Sequence, residues 1–361
     1  MKKTVRKFSV RKFLLFLLFL IIILISTVIG IYFYEIGPVS TKTNVKLINI
    51  EKGDNFYNIS EKLKKNNLIK SELFYKIYLK IAKPNGLTIG DYELNETMGI
   101  KEIVEILSDS KNQKIDSIKI TFREGLNIRG IAQIIEEKTN IKSEEFINKV
   151  SDKDYIKSIQ KDYWFLTDDI YNEKIYYPLE GYLFPDTYEF EKKELSSEKI
   201  IKKMLDNTNN KISKYKEQID SNEMTIHQIL TLASLVEQEA VTKEDRALVA
   251  GVFYNRLKIN MSLGSDVTTY YAAKKTLKES LTKEELTECN GYNTRCLTMK
   301  GLPVGPIANP SLTSIEAALN PTQNDYYYFV ADTSKKVYFN KTINEHNQTI
   351  AKLKKEGKWA A

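Results

Sequence analysis

The segment Thr225 to Ala240 reads TIHQILTLASLVEQEA, and its apolar residues recur at the spacing of an amphipathic helix. Two carboxyls, Glu237 and Glu239, lie at opposite margins of the apolar face, each roughly 80° from its centre at about 100° per residue. A carboxyl beside an apolar wall tends to have a raised pKa, which suits a general acid near neutral pH. Most of the 47 acidic residues of the chain are expected to be solvated, and periodicity does not choose between these two. The apolar face comprises Ile226, Ile229, Leu230, Ala233, Val236 and Ala240.

Segments of unusual composition lie on both sides of this helix. Upstream, Tyr177 to Tyr188 (YPLEGYLFPDTY) combines two prolines and a glycine with aromatic residues, so it cannot be an ordinary helix. Downstream, Glu244 to Leu257 (EDRALVAGVFYNRL) predicts a second helix, and Gly301 to Pro310 (GLPVGPIANP) predicts a stiff extended loop. Tyr326 to Ala331 (YYYFVA) predicts a buried strand, with a partner beginning at Tyr338.

Two stretches nearer the N-terminus match each other without a gap at an offset of 72 residues. Each begins with the alternation of a half-buried strand, turns at Gly53 or Gly125, and continues with helical spacing. Such units resemble LysM-like modules, which hold the N-acetylated sugars of cell-wall glycans, although a spacer or docking domain has the same pattern. The matched positions are Ile48, Ile50, Gly53, Ile59, Leu63, Ile69, Lys70, Ser71, Glu72 and Phe74 in the first copy, and Ile120, Phe122, Gly125, Ile131, Ile135, Ile141, Lys142, Ser143, Glu144 and Phe146 in the second.

An uncharged run, Phe13 to Tyr34, precedes the repeat and predicts a transmembrane helix. At a rise of ~1.5 Å per residue it would span ~33 Å, enough for a hydrocarbon core of ~30 Å. A cleaved signal peptide usually has an apolar core of only ~7–15 residues and a small-residue cleavage site, so we expect an uncleaved anchor. Six cations before it predict a cytoplasmic tail and an extracytoplasmic C-terminal part. These cations are Lys2, Lys3, Arg6, Lys7, Arg11 and Lys12.

Composition excludes several classes of protein. The net charge is +7, but the six cations of the tail supply most of it, and the rest of the chain sums to about +1. A general phosphate-binding surface is therefore not expected, and neither is a nucleic-acid partner. Two cysteines and two histidines predict no disulfide framework, no metal site and no cofactor. No sequence motif for a serine or cysteine nucleophile accompanies His346, which argues against a triad hydrolase.

Taken in order, these motifs resemble the endolytic murein transglycosylase family, the YceG-like proteins, over nearly the whole predicted exported part. The resemblance implies a short anchor and a LysM-like part, followed by a mixed α+β catalytic domain. It also implies that the catalytic acid is the second glutamate of the V-E-x-E segment, which is Glu239 here. The motifs are LEGYLFPDTY, LASLVEQEA, VFYNRL, Asp266 with Thr268 and Tyr270, Tyr292-Asn293-Thr294, GLPVGPIANP, and YYFVAD followed by EHN.

One feature departs from the family's pattern. Cys289 and Cys296 bracket Tyr292-Asn293-Thr294, and outside the cell they could staple that loop with a disulfide. We expect such a bridge to be dispensable for activity.

The resemblance implies cleavage of the β-1,4 bond between N-acetylmuramic acid and N-acetylglucosamine within a glycan strand, with 1,6-anhydro ends as products and strand elongation terminated. Ordinary glycosidases use two carboxylates, whereas lytic transglycosylases as a class need one. Oxygens and aromatic faces near the acid would stabilise positive charge on the sugar. The candidates for these contacts are Tyr188, Asp266, Tyr292, Asn293 and Asn309.

The predicted organisation is a basic tail over residues 1–12, a transmembrane helix over 13–34, a LysM-like repeated region over 44–155 and a catalytic domain over 156–361. We expect a single-pass protein of the cell membrane that acts on peptidoglycan, with penicillin-binding synthases as candidate partners. A non-catalytic, membrane-anchored scaffold that binds peptidoglycan is the main alternative. A hydrolytic muramidase is a third, and its products would distinguish it.

Overall fold

The computed structural model describes residues 10–114, 116–296 and 298–359. It divides into two compact units, Met1–Asp116 and Ser117–Ala361. Both units mix helices with short antiparallel strands, so the predicted α+β class is confirmed together with one N-terminal apolar helix. Of the predicted basic tail, Lys2, Lys3, Arg6 and Lys7 lie outside the described residues.

The N-terminal apolar helix, α1, extends over Val10–Ile36, slightly beyond the predicted run at both ends. Its 27 residues span about 40 Å at ~1.5 Å per residue. None of its residues is buried, so its length and composition are compatible with a single-pass membrane anchor.

The rest of the first unit folds around two paired strands. β1 is antiparallel to β2, and Ile48 lies opposite Tyr92 in their register. Buried residues alternate along β1, as the sequence predicts for a half-buried strand, and they pack with Leu63 and Tyr75 from the helices. The elements are β1 (Val45–Ile50), α2 (Ser60–Lys65), α3 (Glu72–Ala82), β2 (Gly90–Asn95) and α4 (Ile100–Ser108).

The second unit contains the remaining elements around one larger core. They are β3 (Ser117–Thr121), α5 (Ile128–Lys138), α6 (Ser143–Ser151), α7 (Lys153–Gln160), β4 (Thr187–Glu191), α8 (Ser197–Ile212), α9 (Lys216–Asp220), α10 (Ile226–Glu239), α11 (Lys243–Lys258), α12 (Asp266–Ala272), α13 (Lys283–Thr287), α14 (Leu312–Leu319), β5 (Tyr328–Ala331), β6 (Val337–Asn340) and α15 (Ile343–Lys355).

The internal repeat corresponds to a repeated order of elements. In both copies a strand is followed by helices and by an antiparallel partner strand: α2 and α3 lie between β1 and β2 in the chain, and α5, α6 and α7 lie between β3 and β4. The second copy lies in the second unit, because Ile120 of β3 is opposite Tyr188 of β4 and both are buried in its core. The division between units therefore differs from the predicted boundary at residue 155. The likeness of the repeat to LysM modules stays a prediction.

Helix α10 forms the centre of the second unit. The predicted helix is present, with Thr225 and Gln228 forming a capping box at its N-terminus and Ala240 as its C-cap. Its burial is wider than one apolar face, because His227, Thr231 and Ser234 are buried as well. Such a helix lies inside a core rather than on its surface, and α10 packs against α11, α12 and α14.

Candidate active site

Glu239 is the last residue of α10; it is half-buried and lies beside the turn that precedes α12. Ser265 Oγ donates a 2.6 Å hydrogen bond to Glu239 Oε1. Burial raises the pKa of Glu239, and the negative charge of Asp266 raises it further, while Ser265 and Arg256 act in the opposite direction. The C-terminal end of a helix also disfavours an anion, which acts in the same direction as burial.

The Ser265 turn is fixed by the Tyr292-Asn293-Thr294 segment. The N–H of Ser265 donates to Thr294 Oγ1 at 3.0 Å, and the N–H of Gly264 donates to the carbonyl of Thr294 at 3.1 Å. Thr268 Oγ1 lies 2.8 Å from Thr294 Oγ1, and both threonines are fully buried. Thr294 therefore fixes the position of Ser265, which is the only donor described for the Glu239 carboxyl.

Arg256 is the cation whose charge acts on Glu239. Its Nε donates to the carbonyl of Tyr327 at 2.6 Å, its Nη1 donates to the carbonyl of Leu263, and its guanidinium lies 5.4 Å from the ring centroid of Tyr328. The VFYNRL helix thus contributes a positive charge near the candidate acid.

Glu237, the other carboxyl at the end of α10, has a different environment. Its Oε1 forms a 2.7 Å ion pair with Arg246 of α11. Its Oε2 accepts hydrogen bonds from the N–H of Ser311 at 2.8 Å, from Ser311 Oγ at 2.5 Å and from Ser314 Oγ at 2.8 Å. Glu237 therefore links α10 to α11 and α14, and its oxygens are already occupied by protein donors.

Four of the five predicted sugar-binding side chains are interior scaffold. Tyr188 and Tyr292 are only 5% and 0% exposed, and Asn293 and Asn309 are 0% and 1% exposed. The Tyr188 hydroxyl donates to the carbonyl of Phe184 at 2.6 Å. These groups are enclosed by protein, and their described contacts position loops; their contact with a sugar stays a prediction.

The two buried asparagines show how that positioning works. Asn293 Nδ2 donates to the carbonyl of Glu288 at 2.8 Å, and Asn293 Oδ1 accepts from Thr269 Oγ1 at 2.7 Å. Asn309 Oδ1 accepts from the N–H groups of Gly181 and Leu183 at 3.0 and 2.9 Å. Each asparagine thus satisfies backbone groups of a loop that has no regular secondary structure.

Asp266 is the predicted contact that remains exposed. It is the first residue of α12, and its carboxylate forms an ion pair with Arg295. Its side chain is 62% exposed, and its charge contributes to the raised pKa of Glu239. Among the predicted sugar contacts, Asp266 is therefore the one placed both near Glu239 and at the surface.

Glu180 was not among the sequence candidates, although it lies in the LEGYLFPDTY motif. It is 1% exposed and accepts hydrogen bonds from the N–H of Ile128, from the Tyr271 hydroxyl at 3.0 Å and from Asn309 Nδ2 at 3.1 Å. Burial raises the pKa of Glu180 to about 8. Glu180 joins α5, α12 and the loop that runs from Gly301 to Pro310. In the sequence, its position between Pro178 and Gly181 is the one signal that could have identified it.

A cleft of about 490 Å³ lies beside this centre. Its walls include Gln238 and Val267, the immediate neighbours of Glu239 and Asp266 in the chain. The Gly125 turn forms another wall: Gln238 Nε2 donates to the carbonyl of Gly125 at 2.8 Å, and a Cβ on Gly125 would lie 2.8 Å from that nitrogen. Gly125 also has a positive φ of 75°, so both the backbone conformation and the close approach of Gln238 favour glycine at this turn.

Cys289 and Cys296 form a disulfide, with their Cα atoms 5.2 Å apart. The bridge closes the loop that carries Tyr292-Asn293-Thr294. Within residues 10–114, 116–296 and 298–359, no group of three or more His, Cys, Asp or Glu side chains is arranged to hold a metal ion.

Comparisons with known proteins agree with one another. The sequence profile described as the YceG-like family matches residues 48–352. A protein of Bacillus subtilis (strain 168) named endolytic murein transglycosylase is 40% identical over 313 residues, which cover 86% of this chain and 85% of that protein. A protein of the same name from Streptococcus pneumoniae serotype 2 (strain D39) is 33% identical over 317 residues, 84% of this chain and 57% of that protein.

A solved structure extends the comparison to the fold. A crystal structure of a YceG-like protein from Listeria monocytogenes is similar to this chain with a TM-score of 0.61 and 35% sequence identity. The similarity covers 85% of this chain and 100% of that one.

Proposed function

The chain belongs to the YceG-like family, and on that premise we propose that it is an endolytic murein transglycosylase whose single acid–base group is Glu239. The observation that carries the assignment of Glu239 is the contrast at the end of α10. Glu239 is half-buried and accepts from one described donor, Ser265, whereas both carboxylate oxygens of Glu237 are engaged by protein groups. The enzyme class itself is supported by the named relatives, which favour it over a non-catalytic scaffold.

In the first step, protonated Glu239 gives its proton to the glycosidic oxygen between N-acetylmuramic acid and N-acetylglucosamine. The bond from the muramyl anomeric carbon to that oxygen breaks, and positive charge develops on the muramyl ring. The raised pKa of Glu239 favours the protonated form that this step requires. The carboxylate of Asp266 is near enough to influence Glu239 and is exposed, so it is placed to stabilise this charge.

In the second step, the Glu239 carboxylate takes the proton of the muramyl C6 hydroxyl. The C6 oxygen bonds to the anomeric carbon and closes the 1,6-anhydro ring, so the carboxyl is regenerated and no water is consumed. A hydrolase would need a second carboxylate to act as nucleophile or to activate water. Glu237 is bound by Arg246, Ser311 and Ser314, and Asp266 by Arg295, which favours the single-carboxyl route.

The proposed location follows from α1 and its flanking charges. With α1 spanning the membrane and the basic residues before it in the cytoplasm, both repeats and Glu239 would lie outside the membrane. The Cys289–Cys296 disulfide is in keeping with an oxidising compartment. This placement would bring the site to newly made glycan strands beside the penicillin-binding synthases that polymerise them.

The experiment that tests the reaction is mass spectrometry of purified glycan strands digested by the full-length protein in detergent. We expect anhydromuramyl ends, which are lighter than hydrolysed ends by one water, about 18 Da. Reducing muramic acid as the main product would replace the transglycosylase with a muramidase. Strands that are bound but remain intact would favour the scaffold.

A further inference from the structure

The cleft beside Glu239 has a cationic end. It lies between the first turn of α5, helix α12 and the loop that follows α12. The lining of the cleft includes one carboxylate, Glu279, and three cations, which are Arg129, Lys274 and Lys275. Its volume of about 490 Å³ falls in the range of roughly 300–1,000 Å³ that holds small ligands.

Two of these cations have no carboxylate within ion-pair distance in the part of the chain that the structure describes. Lys275 pairs with Glu285 at 2.6 Å, but neither Arg129 nor Lys274 forms such a pair. Glu279 is held by the N–H and hydroxyl of Thr276, at 2.7 and 2.8 Å. The end of the cleft therefore keeps an excess of positive charge.

Arg129 is held in place within this cleft. Its Nη1 donates to the carbonyl of Lys274, and its guanidinium lies 5.9 Å from the ring centroid of Tyr271. Arg129 is half-buried, and four further donor positions of its guanidinium are not used by a described hydrogen bond. A planar guanidinium fixed over a ring is suited to bind a carboxylate through two parallel hydrogen bonds.

We propose that this end of the cleft is a carboxylate-binding subsite, in which Arg129, assisted by Lys274, binds a carboxylate carried by the muramyl residues of the glycan strand. The proposal rests on the function proposed above and adds a determinant of specificity to it. Muramyl residues carry carboxylates from two sources: the free lactyl group of a strand without peptides, and the stem peptide of a substituted strand. Tyr270, a half-buried lining residue, supplies the aromatic face for a sugar ring in the same cleft.

The test is binding to the full-length Glu239→Gln protein in detergent, which does not depend on turnover. The probes are peptide-free strands with lactyl carboxylates, peptide-bearing strands, the same two strands after conversion of their carboxylates to amides, and neutral chitin oligosaccharides. Adding Arg129→Gln should weaken binding of the carboxylated strands by about tenfold, since a charge-assisted hydrogen bond is lost. Binding of the amidated strands and of chitin oligosaccharides should not change.

Lys278→Gln is the matched control, because Lys278 lies exposed on the same loop and does not line the cleft. It should bind every probe as the parent protein does. If Arg129→Gln weakens binding of only one of the two carboxylated strands, the result supports the proposal. It also shows whether the bound carboxylate belongs to the lactyl group or to the stem peptide. Equal losses for charged and neutral probes, or no loss, would overturn it. Failure of the proposed reaction would appear separately, in the products of the wild-type protein.

Discussion

The hydroxyl of Ser265 lies 2.6 Å from Oε1 of Glu239 and donates to it, although 26 residues separate the two in the chain. Glu239 ends α10, and Ser265 precedes α12, so the contact depends on how these two helices pack. A single neutral donor stabilises the carboxylate without removing the effect of burial, and the pKa of Glu239 stays raised. This balance suits a group that must first give a proton and then accept one.

Glu239→Gln should reduce turnover by at least about a hundredfold, because general acid–base catalysis typically contributes ~10²–10⁴-fold. The amide keeps the size of the side chain but cannot protonate the leaving oxygen. The measurement is the rate of release of anhydromuramyl products from purified strands, with thermal unfolding to check the fold.

Glu237→Gln is the matched comparison, two residues away on the same helix. It should retain much more activity per folded molecule but unfold at a lower temperature, because it breaks the buried ion pair with Arg246. Equal losses of turnover at both positions in folded protein would remove the assignment of Glu239.

Ser265→Ala should shift the pH dependence of turnover. The Ser265 hydrogen bond lowers the pKa of Glu239, so its loss should raise that pKa further. Since the acid must be protonated in the first step, the decline of kcat/KM at high pH should move to higher pH. Ser262→Ala is the control, because the Ser262 hydroxyl donates to the carbonyl of Thr294 and not to Glu239. It should leave the decline of kcat/KM at high pH where it is in the wild type. An unchanged profile in Ser265→Ala would show that the contact does not tune the acid.

Glu180→Gln should reduce the pH dependence of stability. Burial raises the pKa of Glu180 from 4.5 to about 8, so between these values the folded state holds a proton that the unfolded state releases. The resulting stabilisation is present below about pH 4.5 and is lost as the pH rises through about 8. Melting temperatures from pH 4.5 to 8.5 should therefore fall less steeply in the variant than in the wild type. Glu173→Gln, exposed on a neighbouring loop, should keep the wild-type slope.

The double substitution Cys289→Ser, Cys296→Ser should leave the folded enzyme active. The bridge joins positions seven apart and closes a short loop, which is worth ~2–3 kcal/mol at most in the chain-entropy account. Neither sulfur takes part in the contacts among Thr294, Ser265 and Glu239. Activity and unfolding temperature of the variant would be compared with those of the wild type. Complete loss of activity in a folded variant would contradict this expectation.

The anchor should remain on the mature protein, because the apolar run of α1 has no small-residue cleavage site. N-terminal sequencing of the membrane-bound protein should find residues close to Met1. Protease added to intact protoplasts should digest the part that follows α1. A processed N-terminus beyond residue 30, or protection of the C-terminal part, would contradict the proposed topology.

Local sequence patterns determined the elements of this protein. The long apolar run gave α1, the capped apolar stretch gave α10, and alternation gave the strands of both repeat copies. These patterns were sufficient because helix and strand periodicity arise from residues near one another in the chain. The family resemblance added Glu239 as the expected acid, which periodicity could not separate from Glu237.

Tertiary structure alone decided the environments of the individual side chains. Glu237 and Glu239 are equivalent by helical position, but Arg246 and Ser311 meet only the first, and Ser265 meets only the second. Asn309 lies 129 residues from Glu180 and donates to it, so the burial of Asn309 arises from a contact that its local sequence does not show. Burial and hydrogen bonding of this kind depend on contacts between distant segments, and such contacts leave no periodic trace in the sequence.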